Sequence, residues 1–323
     1  SEGDFRIVPS GPGLSGGADG VWRTDTGAAV RLNRAARDWS QAFFRALKGF
    51  GLEAVAAFSM ELQHGDPSAE TGIAQRYPSG NAVLLNTPAL QTNFSPVSTA
   101  YWKEVYRQMA ELMAGVGMAP YLQFGEVQWW YFPSDGSGMP LWDEYARMRF
   151  FERHGRDMRV VPNPHADASE YGEEALLARD LVGEFTTSVI EHVRSTVPAC
   201  KFEVLYPTDV NETEFNRMMN YPVMQWTPER LANLKTESFT YTLGRDLAKS
   251  KTSLEFGSAL GFQRSNRSHL VGLGGPRTAW ERESRLAVEA GMESVVLFAL
   301  DQMCLIGYRL PLRDGPVRAF QLE

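Results

Sequence analysis

The sequence predicts an α/β protein of the (β/α)8, or TIM-type, barrel class, with parallel strands and a first strand that is missing or irregular. Three observations predict it. A pattern of helix, glycine, apolar strand and acid recurs three times along the chain. The strands in that pattern are near-continuous apolar runs, as in parallel sheets covered on both faces. Acids stand at matching offsets past the glycines, at strand ends, which is where barrel proteins assemble their sites. Alternating helices and parallel strands also allow an open doubly wound sheet. No glycine-rich phosphate loop follows an early strand, which argues against the nucleotide-binding form of that sheet.

Each element can be justified in order. The opening SEGDFRIVPSGPGLSGGADG reads as a strand at 5–8 followed by a plain loop. In the next unit, Trp39, Phe43 and Leu47 recur at four-residue steps as the apolar stripe of a helix. Gly51 stops that helix, AVAAF is the strand, and Glu61 follows. The second unit starts with Ser95 as cap and Pro96 in the first turn. Its stripe is Trp102, Val105, Met109, Leu112 and Val116, its stop Gly117, its strand PYLQF and its acid Glu126. A helix over 174–197 then leads into KFEVLYPTD, which ends on Asp209. A further strand falls within 222–240.

Residues 244–260 favour a helix over a strand at 251–257, with Leu243, Leu247, Leu254, Ala259 and Leu260 on its buried side. HLVGLGG is then the next strand, and Gly257 inside the helix costs about 1 kcal/mol relative to alanine. In the last unit Thr278 and Glu281 have the spacing of a capping box. Gly291 is the stop, SVVLFAL the strand and Asp301 the acid. Seven strands are legible, and if YLQFGEV is strand four, the missing one is strand one. The expectation is a single barrel domain over 1–323, with long insertions at 65–96 and 132–172 acting as lid or cleft wall. The chain also reads as an excised part of a longer protein, whose other domains would be its partners.

Composition narrows the function classes. Of 323 residues, 43% are hydrophobic and 22% charged, which is enough apolar material for a large core. Net charge is -7 with no run of Lys or Arg, so nucleic acid and anionic membrane are poor partners. No apolar stretch reaches membrane-spanning length, and no signal peptide is legible, so a soluble chain is expected. Cys200 and Cys304 read as two buried thiols rather than a disulfide or metal pair. No cofactor is expected. His64 has no His or Cys partner at zinc spacing, so no metal site is expected either.

The stretch YLQFGEVQWW puts one glutamate and two tryptophans where a buried strand ends. Such an arrangement suits glycosidic bonds, whose cleavage uses one protonated and one ionised carboxyl group. Aromatic rings stack on sugar faces and raise a neighbouring acid's pKa by desolvation. Glu126 is the candidate proton donor, with Trp129, Trp130 and Tyr131 as the rings and Gln128 between. Successive side chains of an extended segment alternate, so one of the two tryptophans should face the cleft. For the second carboxylate, Glu237 is preferred in a β-rich run. Glu255 is held in reserve, because it would matter only if 251–257 were a strand. Glu61, Gln63, His64, Tyr206, Asp209, Asp301 and Gln302 complete the candidate rim for binding sugar hydroxyls. Two functions follow: a glycoside hydrolase, or a non-catalytic carbohydrate-binding barrel within a larger surface or tail-like assembly.

A resemblance supports the first of these. FGEVQWWYFPSDGSGMPLWDEYARMRFFERHGRDM resembles the segment after strand four in barrel glycosidases. β-Amylases carry Gly-Glu, then aromatic and proline residues, then a Tyr-Asp-x-Tyr helix start. This chain has Gly125-Glu126, Trp129 to Pro133 and Trp142-Asp143-Glu144-Tyr145. Bacterial β-galactosidases have a similar acid glutamate followed by a helix resembling RFFERHGRDM. The resemblance implies that Glu126 is the proton donor. The larger clan of retaining barrel glycosidases usually has Asn before this glutamate, where this chain has Gly125.

Overall fold

The computed structural model describes residues 14–16, 22–85, 89–272, 274–305 and 307. The strand expected at 5–8 lies outside them. The chain divides into two compact units, residues 2–232 and residues 233–323.

In the first unit, β1 (Leu14–Gly16) pairs antiparallel with β2 (Trp22–Thr24), so part of the expected plain loop forms a strand. Helix α1 (Arg34–Gly49) begins at Asn33, whose Oδ1 accepts the Ala36 N–H at 2.8 Å. Its buried face is Ser40 and Phe44. The expected stripe is rotated off the core: Trp39 is 50% exposed and stacks on Phe43, with ring centroids 5.0 Å apart. Strand β3 (Ala56–Phe58) follows.

The 65–96 connection is a built layer rather than a structureless loop. Here β4 (Glu61–Gln63) pairs antiparallel with β5 (Ala89–Gln91), and Ile73, Ala74, Val83 and Leu90 are buried. Helix α2 (Pro96–Gly115) starts as expected, with Ser95 Oγ accepting the Ser98 N–H at 3.3 Å. It packs Trp102, Val105, Tyr106 and Met109 inward. Then come β6 (Tyr121–Phe124), α3 (Glu144–His154), α4 (Gly172–Thr196), β7 (Lys201–Pro207) and α5 (Glu214–Asn220).

Strand β6 lies between β3 and β7, all parallel, with Phe58 opposite Phe124 and Phe124 opposite Val204. The core behind them is a ring stack. Phe124 sits 5.0 Å from Tyr106 and 5.4 Å from Phe202. The Tyr106 hydroxyl contacts the carbonyls of Phe58 and Gln123 at 3.3 Å each, tying α2 to the ends of β3 and β6.

Glu174 at the start of α4 has no exposed side chain. Arg159 contacts it at 2.8 Å and Arg156 at 3.4 Å; burial works to raise its carboxyl pKa, but Arg159 and backbone N–H groups hold it below the usual range. Arg159→Ala leaves this buried anion with Arg156 and the backbone N–H of residue 159. Hydrogen bonds to charged groups are worth about 1.5–3 kcal/mol, and a loss of that size is expected in urea unfolding of this variant.

The second unit contains β8 (Asn233–Glu237), α6 (Thr240–Gly244), α7 (Leu247–Ala259), β9 (Arg267–Gly272), α8 (Arg277–Glu289), β10 (Ser294–Phe298) and α9 (Leu300–Leu305). Strand β9 lies between β8 and β10, all parallel. Fully buried His269 joins β8 to α8 through Thr236 Oγ1 at 2.9 Å and Glu283 at 3.2 Å. Gly257 on α7 has a packing reason: a Cβ there would sit 3.0 Å from the Arg267 side chain of β9.

Two expectations are corrected here. Thr278 and Glu281 form no capping box, because Pro276 occupies the cap and the helix starts two residues earlier than the box requires. Glu281 instead pairs with Arg277 at 3.2 Å. Of the two thiols only Cys200 is buried, which pushes its pKa up to about 12; Cys304 is exposed.

Six of the seven expected strands are therefore present, each parallel within its unit. Gly51, Gly117 and Gly291 end their helices with φ of 70°, 73° and 77°. Among the described residues no helix is long and apolar enough to cross a membrane.

Candidate functional site

The acids of the first unit stand along one edge of its parallel sheet. Glu61 follows β3 and opens β4, Glu126 follows β6, and Asp209 follows β7. The strands are neighbours in the order β3-β6-β7, spaced roughly 4.8 Å apart. The three carboxylates are thus brought to one rim, in sequence order, by the topology alone.

Gly125 explains why Glu126 is not preceded by asparagine. Its N–H donates to the Phe58 carbonyl at 2.7 Å, and a Cβ would lie 3.3 Å from that same oxygen. The chain then turns sharply. Glu126 has φ 47° and His64 φ 53°, both left-handed conformations that favour glycine. Each costs roughly 1–2 kcal/mol in an L-residue, and such positions gather at functional sites. Both flank the rim, and Glu126 is half-buried.

Beyond Glu126, residues 127–133 belong to neither helix nor strand. Side-chain amides replace the missing ladder. Buried Asn220 accepts the Trp129 N–H at 2.8 Å through Oδ1, and buried Gln75 accepts the Trp130 N–H at 2.9 Å. Gln75 also donates to the Gln128 carbonyl at 3.0 Å, and Asn211 donates to Gln128 Oε1 at 3.1 Å. Asn220 in turn donates to Asn211 Oδ1 at 3.0 Å, closing the network.

The two tryptophans are split by this frame. Trp129 is 1% exposed; its indole N–H donates to the Ala178 carbonyl at 2.9 Å, and its ring meets Phe94 edge-on at 4.9 Å. Trp130 stays half-buried and stacks on Tyr131 at 4.8 Å, while Phe132, 53% exposed, caps both at 5.7 and 4.5 Å. The result is a contiguous, partly exposed shelf of three rings. Tyr77 supports it from behind, with its hydroxyl donating to the Phe132 carbonyl at 3.2 Å.

The remaining candidates scatter. Trp129 and Tyr206 are corrected from substrate-binding to core: Tyr206 is 2% exposed and meets Tyr221 edge-on at 5.3 Å, leaving neither face open. Gln63 is buried, with its carbonyl accepting from Thr24 Oγ1 at 2.7 Å. In the second unit Glu237 closes β8 and is buried. Glu255 lies on the exposed side of helix α7, so the strand that would have made it a nucleophile does not exist. Asp301 is exposed in the first turn of α9, and Gln302 Oε1 accepts the Gly274 N–H at 3.0 Å, bridging the loops after β9 and β10.

Gln75, Asn211, Asn220 and Tyr77 were not singled out from sequence. Nor was the role of Asp143, which caps α3 by accepting the Ala146 N–H at 3.1 Å. Burial raises its carboxyl pKa to about 7, against the lowering effect of backbone hydrogen bonds from Ala146 and Tyr145. Among the described residues no group of three or more His, Cys, Asp or Glu side chains is placed to hold a metal ion.

Parallel strands alternating with helices, with acids and rings gathered at the strand C-termini, define the TIM-barrel class. Within that class, this chain belongs to the family of the non-contractile tail sheath protein TIM barrel, which it matches over residues 16–308. No curated protein matches it. Solved structures similar to it include the catalytic domain of β-amylase from Paenibacillus polymyxa, at 11% identity and TM-score 0.62, covering 86% of this chain and 83% of that one. The cold-adapted β-galactosidase from Rahnella sp. R3 is similar at 13% identity and TM-score 0.57, covering 84% of this chain but 43% of that one. The glycoside hydrolase domain of PgaB (BpsB) from Bordetella bronchiseptica is similar at 10% identity and TM-score 0.52, covering 79% and 72%. At these identities the likeness is one of fold.

Proposed function

We propose that this chain is the barrel domain of a tail sheath subunit and that its strand-end rim binds carbohydrate. The observation that carries the proposal is the shelf of Trp130, Tyr131 and Phe132, four to six residues past Glu126 and held rigid by buried amides. Ligand sites combine aromatic walls with a few fixed polar groups. Flat ring faces suit the apolar faces of sugars, and Glu61, Glu126 and Asp209 suit their hydroxyls. Titration of the chain with a panel of oligosaccharides and polysaccharides, followed by tryptophan fluorescence and calorimetry, tests the reading. Trp130→Ala is expected to weaken binding at least tenfold, in keeping with the 2 kcal/mol or more that buried aromatic anchors contribute. Undiminished affinity in that variant would reject the shelf as the site.

A second reading is hydrolysis, favoured by the placement of Glu237 as the last residue of β8, just as Glu126 follows β6. Under it Glu126 is the proton donor and Glu237 the nucleophile or base. Carboxyl groups about 5–5.5 Å apart in the complex would give retention, and about 6.5–9.5 Å inversion. Chromogenic glycosides distinguish the two readings: turnover lost in both Glu126→Gln and Glu237→Gln supports hydrolysis. Sugar binding without turnover across a broad panel supports the binding domain.

A further inference from the structure

Past the C-terminal ends of β8 and β9, the second unit carries an open cleft of about 380 Å³ between α6 and α8, lined by Tyr241, Arg245, Thr278, Glu281, Arg282 and Arg285. Its volume is within the range of small-ligand sites, and its lining is unusual for a chain of net charge -7. Three arginines line it, two from α8 and one from the end of α6. Arg282 and Arg285 stand three residues apart on α8, hence on one face. Arg245 caps the other helix. Its Nη1 donates to the carbonyls of Tyr241 at 3.1 Å and Thr242 at 2.8 Å, which fixes the side chain at the end of α6.

None of these three arginines forms an ion pair among the described residues. The one carboxylate of the cleft, Glu281, is already paired with Arg277 at 3.2 Å. Some arginines elsewhere are matched to acids, as Arg149 to Glu184, Arg153 to Asp180 and Arg107 to Glu104, and others, such as Arg76 and Arg194, bond backbone carbonyls. Clustered guanidinium groups without counter-charges repel one another, and an anion placed among them relieves that repulsion while gaining forked hydrogen bonds. Thr278 and Glu281 add a hydroxyl and a carboxylate to the same wall. Those groups accept hydrogen bonds from hydroxyls and disfavour a dense polyanion that offers no donor.

We propose that this cleft binds an anionic saccharide, with its phosphate or carboxylate on Arg245, Arg282 and Arg285 and its hydroxyls on Thr278 and Glu281. The sugar part rests on the carbohydrate reading above; the anion part does not. The test titrates the full chain by calorimetry with glucose, inorganic phosphate, glucose 6-phosphate and trigalacturonate. The phosphorylated and the carboxylated sugars separate the two sources of charge. At least one of them is expected to bind ten times or more tighter than both glucose and phosphate, and to weaken at least tenfold in Arg282→Gln/Arg285→Gln. Arg282→Lys/Arg285→Lys keeps the charge and should retain part of the affinity. Equal affinity in the parent and the double glutamine variant, its fold checked by circular dichroism, would overturn the proposal. So would failure of both charged sugars to exceed glucose. Phosphate binding as tightly as glucose 6-phosphate would refute the saccharide part.

Discussion

Replacing Trp129 by alanine is expected to lower the unfolding free energy by about 3–5 kcal/mol, the range for deleting a large buried ring. The same change at Trp130 should lower it far less, although the two residues are adjacent and identical. The difference lies in their surroundings. Trp129 is 1% exposed, wedged against Phe94 and bonded through its indole to the Ala178 carbonyl of α4. Its removal leaves a cavity beside α4 and takes away the indole's hydrogen bond to that helix. Trp130 is half-buried and loses mainly ring contacts with Tyr131 and Phe132, which can close over the gap. Urea unfolding of the two alanine variants measures this directly. Trp129→Phe separates the terms: it keeps most of the volume and removes the indole hydrogen bond, so it should lose only about 1–2 kcal/mol. Similar losses for both alanine variants would mean that the shelf, not the core, holds the segment in place.

The alternation of helix and strand was legible because burial imposes a period. The runs AVAAF, PYLQF, KFEVLYP and SVVLF mark β3, β6, β7 and β10 without help from partners. The same rule misplaced the face of α1. Four-residue steps fit both Trp39-Phe43 and Ser40-Phe44, and residue size favoured the first, while the fold turns the second inward. Helix starts were legible when the cap stood alone, as at Ser95. They were not when a proline competed, as at Pro276.

At the candidate site, the acids were legible from their offsets. The frame that holds the aromatic segment was not. Asn220 reaches Trp129 across 91 positions, Asn211 reaches Gln128 across 83, and Gln75 reaches Trp130 across 55. A side chain that serves a remote backbone leaves no periodic trace, and in sequence an amide of this kind looks like any surface amide. Glu255 shows the converse. Its neighbours Leu254 and Phe256 suit a strand, but the stripe through Leu247 and Leu254 suits a helix, and the helix decides its exposure.

Asp143 supplies the second large effect, on pH dependence. Its carboxyl titrates near 7 in the folded chain, raised chiefly by burial, against 3.8 when unfolded. Between those values the native state holds a proton that the unfolded state has lost. Stability therefore falls as pH rises through this window and levels off above about pH 7, with the full contribution present only below the unfolded pKa. Each unit of separation is worth about 1.4 kcal/mol, so the fall from this one group is on the order of 4 kcal/mol. Asparagine caps helices as well as aspartate does and cannot ionise. Asp143→Asn should match the parent near pH 4 and exceed it increasingly toward pH 7 in chemical denaturation midpoints. Glu104, held at about 2 by Arg107 and His192, pulls the opposite way below pH 4.5, but it is common to both proteins and cancels in the difference. A constant gap between parent and variant across pH 4–8 would show that Asp143 does not titrate in the folded state.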